Sequence, residues 1–122
     1  MILLDSSAWL EIFVGGALAD DCERYLKQNS GKVIVSVINI YEVYRRIARQ
    51  SEDLALQAVA LMKQQSVQMV DEQISLDAGD LSIKYGLAMA DSLLLATAYK
   101  YKALLLTKDV DFNRVPGCKI LK

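Results

Sequence analysis

The chain has 122 residues, of which 53% are hydrophobic, and its formal net charge is −1. This length is typical of one compact domain, and the hydrophobic content is ample for a single core. The sequence contains no histidine, which excludes the serine–histidine and cysteine–histidine nucleophiles, and its two separated cysteines cannot complete a zinc site. Any hydrolytic chemistry must come from carboxylates, hydroxyls, lysines or a metal ion held by oxygen ligands.

Two further classes of protein are excluded by local composition. No apolar run is long enough to span a membrane, and the N-terminal stretch lacks the basic segment of a signal peptide. We therefore expect a cytoplasmic protein without membrane contact. The overall charge is not that of a nucleic-acid-binding chain, but basic residues cluster around Arg45 and in the last quarter, which leaves room for a local basic surface.

Short apolar runs alternate along the chain with longer segments of helical periodicity. The apolar runs predict strands at 2–4, 32–36, 67–70, 103–107 and 118–122. A helix is predicted in AWLEIF after the first strand, and the helical periodicity predicts others at 17–28, 37–50, 53–65, 74–85 and 90–101. This alternation predicts a single α/β domain over 1–122, with a mostly parallel sheet covered by helices on both faces.

Acidic residues directly follow two of the predicted strands. Asp5 comes after the first strand, and Asp109 and Asp111 come after the strand at 103–107. Open α/β sheets form their sites beyond the carboxyl ends of strands, so these acids are candidates for a site. Each of them is also compatible with a solvated loop or an Asx turn. Similarly, the Ser6 hydroxyl is suited to capping the next helix or to contacting a phosphate or a metal ligand.

Glu42 lies in the predicted helix at 37–50, roughly opposite its apolar stripe. Arg45 and Arg46 follow it at the i+3 and i+4 positions, where opposite charges stabilise a solvated helix face. On the pattern alone, ion pairs with these arginines are favoured over a role for Glu42 in a site.

Asp91 is the one charged residue in LAMADSLLLATA, a run whose apolar residues predict a buried helix. A buried carboxylate without partners is costly. Two explanations remain open at this level. Either Asp91 lies in the first helical turn, where the helix dipole stabilises an anion, or it faces a polar pocket that holds a cation or other acids.

Four segments resemble the signatures of PIN-domain ribonucleases, in the same order and at typical spacing over essentially the whole chain. They are LLDSSAWLE, VSVINIYEV, GLAMADSLLLATA and LLLTKDVDF. The closest resemblance is to the toxin subunits of VapBC toxin–antitoxin pairs. It implies a PIN-like three-layer α/β/α sandwich around the parallel sheet.

The resemblance also implies a site. Asp5, Glu42, Asp91 and Asp109 are expected to converge on one pocket as catalytic residues and as ligands of Mg²⁺ or Mn²⁺, with Asp111 as a further metal ligand. Ser6 matches a small hydroxyl residue of the family and is expected to be an accessory residue. For Glu42, the resemblance favours the site over the ion pairs. The candidate RNA contacts are Arg45, Arg46 and Lys108.

The function implied by the resemblance is that of a metal-dependent endoribonuclease that acts as the toxin of a type II toxin–antitoxin pair. Its expected partners are an RNA substrate, a cognate antitoxin and a second copy of the chain. The alternative is a PIN-like RNA-binding or complex-assembly module that retains the acidic pocket without catalysis. A receiver-like domain fits less well, because two serines follow Asp5 where such a domain has adjacent acids. A dehalogenase-like phosphatase also fits less well, because Ser7 stands where it has a second Asp.

Overall fold

The computed structural model of the protein describes residues 1–122 and contains one five-stranded sheet. Its strands are β1 (Ile2–Leu4), β2 (Val33–Ser36), β3 (Ser66–Gln68), β4 (Leu104–Thr107) and β5 (Cys118–Ile120). The strand order is β3-β2-β1-β4-β5, and every neighbouring pair is parallel. The prediction of a mostly parallel sheet is therefore confirmed.

Six α-helices connect and cover the strands. They are α1 (Ser6–Val14), α2 (Ala19–Gln28), α3 (Val37–Ala48), α4 (Glu52–Met62), α5 (Glu72–Tyr85) and α6 (Met89–Lys100). A short 3₁₀-helix, Val110–Phe112, which the sequence pattern did not predict, lies between β4 and β5. The predicted helices and strands are all present, and their ends differ from the prediction by only a few residues.

Alternate residues of the central strands contribute to two separate cores. Ile2 and Leu4 of β1 belong to a buried cluster with residues of α1, α2, α3 and α4. Leu3 of β1 and Leu105 of β4 belong to a second cluster, which includes residues of α6. A smaller cluster joins α5 to α6. This period-two alternation places helices on both faces of the sheet and confirms the three-layer sandwich.

The sheet changes its direction of winding between β1 and β4. The chain adds β2 and β3 on one side of β1, and then β4 and β5 on the other. A crevice forms at such a switch point, beyond the carboxyl ends of the strands. Asp5 follows β1 and Asp109 lies two residues after β4, so the fold directs both segments to this edge. None of the helices combines the length and the apolar character needed to cross a membrane.

Candidate functional site

Asp5 is the buried acid at the centre of this edge, with only 5% of its surface exposed. It is the N-cap of α1, and its Oδ1 accepts a hydrogen bond of 2.7 Å from the Ser6 backbone N–H. Its Oδ2 accepts hydrogen bonds from the Thr107 hydroxyl at 2.6 Å and from the Ser7 hydroxyl at 3.2 Å. Three donor atoms of these two segments therefore fix the carboxylate in one orientation.

Thr107 links Asp5 to the loop that follows β4. Its Oγ1 donates to Asp5 and accepts a hydrogen bond of 2.9 Å from the Asp109 backbone N–H. The Asp109 side chain in turn accepts from the Asp111 backbone N–H at 2.9 Å, as in the Asx turn that the sequence left open. Sequence reasoning did not single out Thr107, although its position at the end of an apolar strand beside two acids was a signal.

Ser6 makes a second connection within the site. Its hydroxyl donates a hydrogen bond of 2.6 Å to Glu42 Oε1, and it accepts one of 3.1 Å from the Asn39 side chain. Asn39 also donates to the Leu4 carbonyl at 3.2 Å and accepts from the Ser36 N–H at 3.0 Å. This fully buried amide, which sequence reasoning also missed, ties α3 to the end of β1 and so positions Glu42.

The structure corrects the pattern-based interpretation of Glu42. Its carboxylate forms no ion pair with Arg45 or Arg46, because the salt bridges of this protein lie elsewhere. The side chain instead turns towards Ser6, since α3 packs against α1 and brings the two helices into contact. The helical-wheel argument for a purely solvated face was therefore wrong.

Asp91 lies in the first turn of α6, where the N-terminal backbone has no side-chain cap. Burial, as the largest cause, and the negative charges of Asp5, Asp109 and Glu42 together raise the pKa of Asp91 from 3.8 to about 7. Asp111 makes the smallest of these contributions. Asp91 therefore lies at the helix start and also faces other acids.

Burial has the same effect on two other acids of the cluster. It raises the pKa of Asp5, against the opposing effect of the hydrogen bonds from Thr107, Ser6 and Ser7. It also raises the pKa of Glu42, against the opposing effect of the Ser6 hydrogen bond. Partial desolvation and mutual repulsion thus destabilise the fully ionised cluster, which is the electrostatic situation that a bound cation relieves.

One pocket of about 340 Å³ brings three of the acids together. Asp5, Glu42 and Asp91 line it with Ser6, and Arg45 and Arg46 lie on its rim. Asp109 and Asp111 do not line this pocket and act on it through their charge. Lys108 lies outside it as well, because its ammonium group pairs with Glu11 of α1.

The donor set of the pocket fits a hard divalent cation. Its acids supply oxygen ligands, which Mg²⁺ and Mn²⁺ prefer, and their raised pKa values favour a positive ion. No three acidic side chains of this structure converge at coordinating distance. The chemistry therefore fits the metal, whereas coordination requires the carboxylates to move closer together.

The sequence model of the PIN domain family matches residues 2–117. The chain belongs to the PIN domain family. The match covers nearly all of this protein and includes the four segments on which the resemblance was based. The prediction of the family is therefore confirmed. No curated protein matches the sequence at a significant level.

Several solved structures share this PIN domain fold. A toxin–antitoxin complex from Klebsiella pneumoniae matches with a TM-score of 0.85 and 20% identity, over 98% of this chain and 96% of that one. VapC20 from Mycobacterium tuberculosis, described as a toxin that cleaves the sarcin-ricin loop, matches with a TM-score of 0.79 and 18% identity, over 95% of each chain. A DNA-bound VapBC complex from Salmonella typhimurium matches with a TM-score of 0.81 and 16% identity, over 99% of this chain and 98% of that one. At these identities the similarity shows a common fold.

Proposed function

We propose that this PIN domain is a divalent-metal-dependent endoribonuclease and the toxin of a type II toxin–antitoxin pair. The observation that carries the proposal is the acid cluster at the switch point of the sheet, where Asp5, Glu42 and Asp109 all raise the pKa of Asp91. The description of VapC20 as an RNA-cleaving toxin, on the same fold, supports this reaction class.

Asp5, Glu42, Asp91 and Asp109 would hold Mg²⁺ or Mn²⁺, with Asp111 as a further ligand at the exposed side. When bound, the ion activates water as a nucleophile and stabilises the charge that develops on the phosphate. The protein's own part is to hold the ligands in place. Thr107, Ser6 and Ser7 orient Asp5, and the Ser6 hydroxyl orients Glu42 as an accessory group.

Asp91 would act on the attacking water as a ligand of the ion. With a pKa of about 7, its carboxyl group exchanges protons near neutral pH in the metal-free protein. A bound divalent cation would lower this pKa, so an ionised Asp91 would hold the ion and orient the attacking water. No histidine is available for this step, so a carboxylate must serve.

RNA would reach the pocket over a positively charged rim. Arg45 and Arg46 line the pocket and have no carboxylate partner within ion-pair distance, so their guanidinium groups are available for phosphate oxygens. The paired ammonium group of Lys108 is a poorer candidate for such a contact.

A separate apolar groove is suited to a protein partner. It has a volume of about 650 Å³, lies between α1, α3 and α4, and is lined by Phe13, Val14, Ile47, Leu54 and Leu61. The solved complexes with this fold contain an antitoxin, which supports an antitoxin as the occupant of this groove. We also propose that two copies of the chain form a homodimer.

The test is cleavage of RNA by the purified protein with Mg²⁺ or Mn²⁺, with and without EDTA. We expect metal-dependent cleavage that is reduced at least about a hundredfold in Asp5→Asn and Asp91→Asn, the scale at which a catalytic group contributes. Asp80→Asn is the matched control, because Asp80 is an exposed acid on α5, outside the cluster.

Two results would contradict the proposal. Cleavage that persists in both site variants would place the activity elsewhere or in a contaminant. Metal binding by the wild type, without cleavage of any RNA tested, would favour the alternative of a binding module that keeps the pocket.

A further inference from the structure

Glu11 of α1 forms an ion pair with Lys108, the residue between Thr107 and Asp109. We propose that Glu11 is a positioning residue of the acid site, which acts through Lys108 on the loop that carries Asp109 and Asp111. This inference rests on the proposed function for its effect on RNA cleavage. Its structural part, the placement of the loop, is independent of that function.

Lys108 is held at both its backbone and its side chain. Its backbone N–H donates a hydrogen bond of 3.2 Å to the Ser7 hydroxyl, which donates in turn to Asp5. Its ammonium group donates to the Glu11 carboxylate. A residue anchored at both ends restrains the next one along the chain, and the next one is Asp109.

Glu11 is itself held in one orientation. Its Oε2 accepts a hydrogen bond of 2.9 Å from the Leu18 backbone N–H, at the start of α2. A Cβ atom at Gly16 would lie 2.1 Å from the same oxygen, so the absence of a side chain at Gly16 allows Glu11 its position. The turn between α1 and α2 therefore fixes the anion that fixes Lys108.

The setting of this ion pair differs from that of the others in the protein. The Glu11 side chain is only 12% exposed, whereas both partners of the Lys100–Asp71 pair are more than 40% exposed. Pairs that are fully open to solvent contribute little, because water and salt screen them. Because the Glu11 carboxylate is largely shielded from solvent, this pair is better suited to holding a loop in place.

Lys108 also points away from the acids. Glu11 and Lys108 line the apolar groove, and neither lines the acid pocket. An ammonium group in this position is poorly placed to neutralise phosphate in the pocket. Its charge pairs with Glu11 and so restrains the loop. This pair connects the start of α2 with the segment that contacts Asp5 and carries Asp109.

The experiment uses Glu11→Gln, Lys108→Met and the double variant, with Lys100→Met as the control that removes an exposed ion pair. Glu11→Gln keeps an acceptor for Leu18 but loses the charge, and Lys108→Met leaves Glu11 and its turn intact. The first measurement is amide hydrogen exchange at Lys108, Asp109 and Asp111 in the metal-free full-length protein, with the thermal midpoint as a check of folding.

We expect exchange at these three amides to become about tenfold faster in both single variants, because loss of the anchor lets the loop open locally. The control variant should show no change. The double variant should exchange no faster than either single variant, since both remove the same contact. Lys108→Arg, which retains the charge, should restore slow exchange.

The second measurement is the kinetics of RNA cleavage. Misplacement of Asp109 should lower kcat by about three- to tenfold and leave KM unchanged, since the loop acts on the reacting centre and not on RNA affinity. An unchanged loop exchange, or additive effects in the double variant, would overturn the proposal. So would a raised KM with normal kcat in Lys108→Met, because that result would make Lys108 an RNA contact.

The two proposals fail separately. Faster loop exchange in a protein that cleaves no RNA would support the positioning role and contradict the ribonuclease. Normal loop exchange in an active ribonuclease would do the reverse.

Discussion

Replacement of Asp91 by asparagine is expected to stabilise the metal-free protein above neutral pH. The Asp91 carboxyl loses its proton near pH 3.8 when the chain is unfolded and near pH 7 when it is folded. The folded state therefore binds this proton more tightly, and the resulting stabilisation is complete below about pH 4 and is lost as the pH rises through 7. Above pH 7 the folded protein must hold an anion among anions, which Asp91→Asn avoids.

The size of the effect follows from the two pKa values of Asp91. The interval from 3.8 to about 7 corresponds to about 4 kcal/mol at 1.36 kcal/mol per pH unit. The side chain is only half-buried, and solvent screening reduces this figure to roughly 1–2 kcal/mol. The raised pKa values of Asp5 and Glu42 act in the same direction, so part of the pH dependence should remain in the variant.

The assay is urea unfolding at pH 5 and pH 8 in the presence of EDTA. We expect the free energy of unfolding of the wild type to be lower at pH 8, and this difference to shrink by about 1 kcal/mol in Asp91→Asn, because part of the effect is already lost at pH 5. Adding Mg²⁺ at pH 8 should stabilise the wild type more than the variant. The reasoning is refuted if the wild type is equally stable at both pH values, or if the exposed-acid control Asp80→Asn shows the same change.

Other substitutions test how the site is held. Thr107→Val removes the donor to Asp5 and the acceptor of the Asp109 N–H, and should lower the free energy of urea unfolding by about 1–3 kcal/mol; an unchanged value would mean that water replaces the hydroxyl. Gly16→Ala pushes the Glu11 carboxylate out of its place and should cost about 1–3 kcal/mol in the same assay. Gly79→Ala is the matched control, because the space around it in α5 is open, and it should stabilise the protein by about 0.5–1 kcal/mol. Equal effects of the two glycine substitutions would contradict the close approach at Gly16.

The strands and helices could be predicted because local patterns determine them. The continuous apolar runs of β1 and β2 match the two cores on either side of the sheet, because a strand buried on both faces needs apolar residues on both. Ser36 has the residue type and position of an N-cap, and it caps α3 in the structure. The turn before β5 contains Pro116 and Gly117, residue types that mark turns, and Gly117 adopts a positive φ of 78°.

The connections within the site were harder to predict, because they depend on which helices pack together. Periodicity places Glu42 beside Arg45 and Arg46 on one helix, but it contains no information about Ser6, 36 residues earlier. Asparagine is an ordinary residue in the first turn of a helix, yet Asn39 is fully buried and its side chain donates a hydrogen bond to the end of β1. The family resemblance supplied the grouping of the acids, which pattern alone had left open.

The bond between Thr107 and Asp5 joins residues 102 positions apart, and it has a consequence for the order of events during translation. A ribosome adds about 5–20 residues per second, so Asp5 is added to the chain roughly 5–20 s before its partner exists. Throughout that interval the growing chain also lacks β4, the neighbour of β1 that brings Asp109 to the same edge. A nascent chain that ends just before β4 therefore contains Asp5, Glu42 and Asp91 but no assembled site, so the proposed RNA cleavage would have to wait for β4.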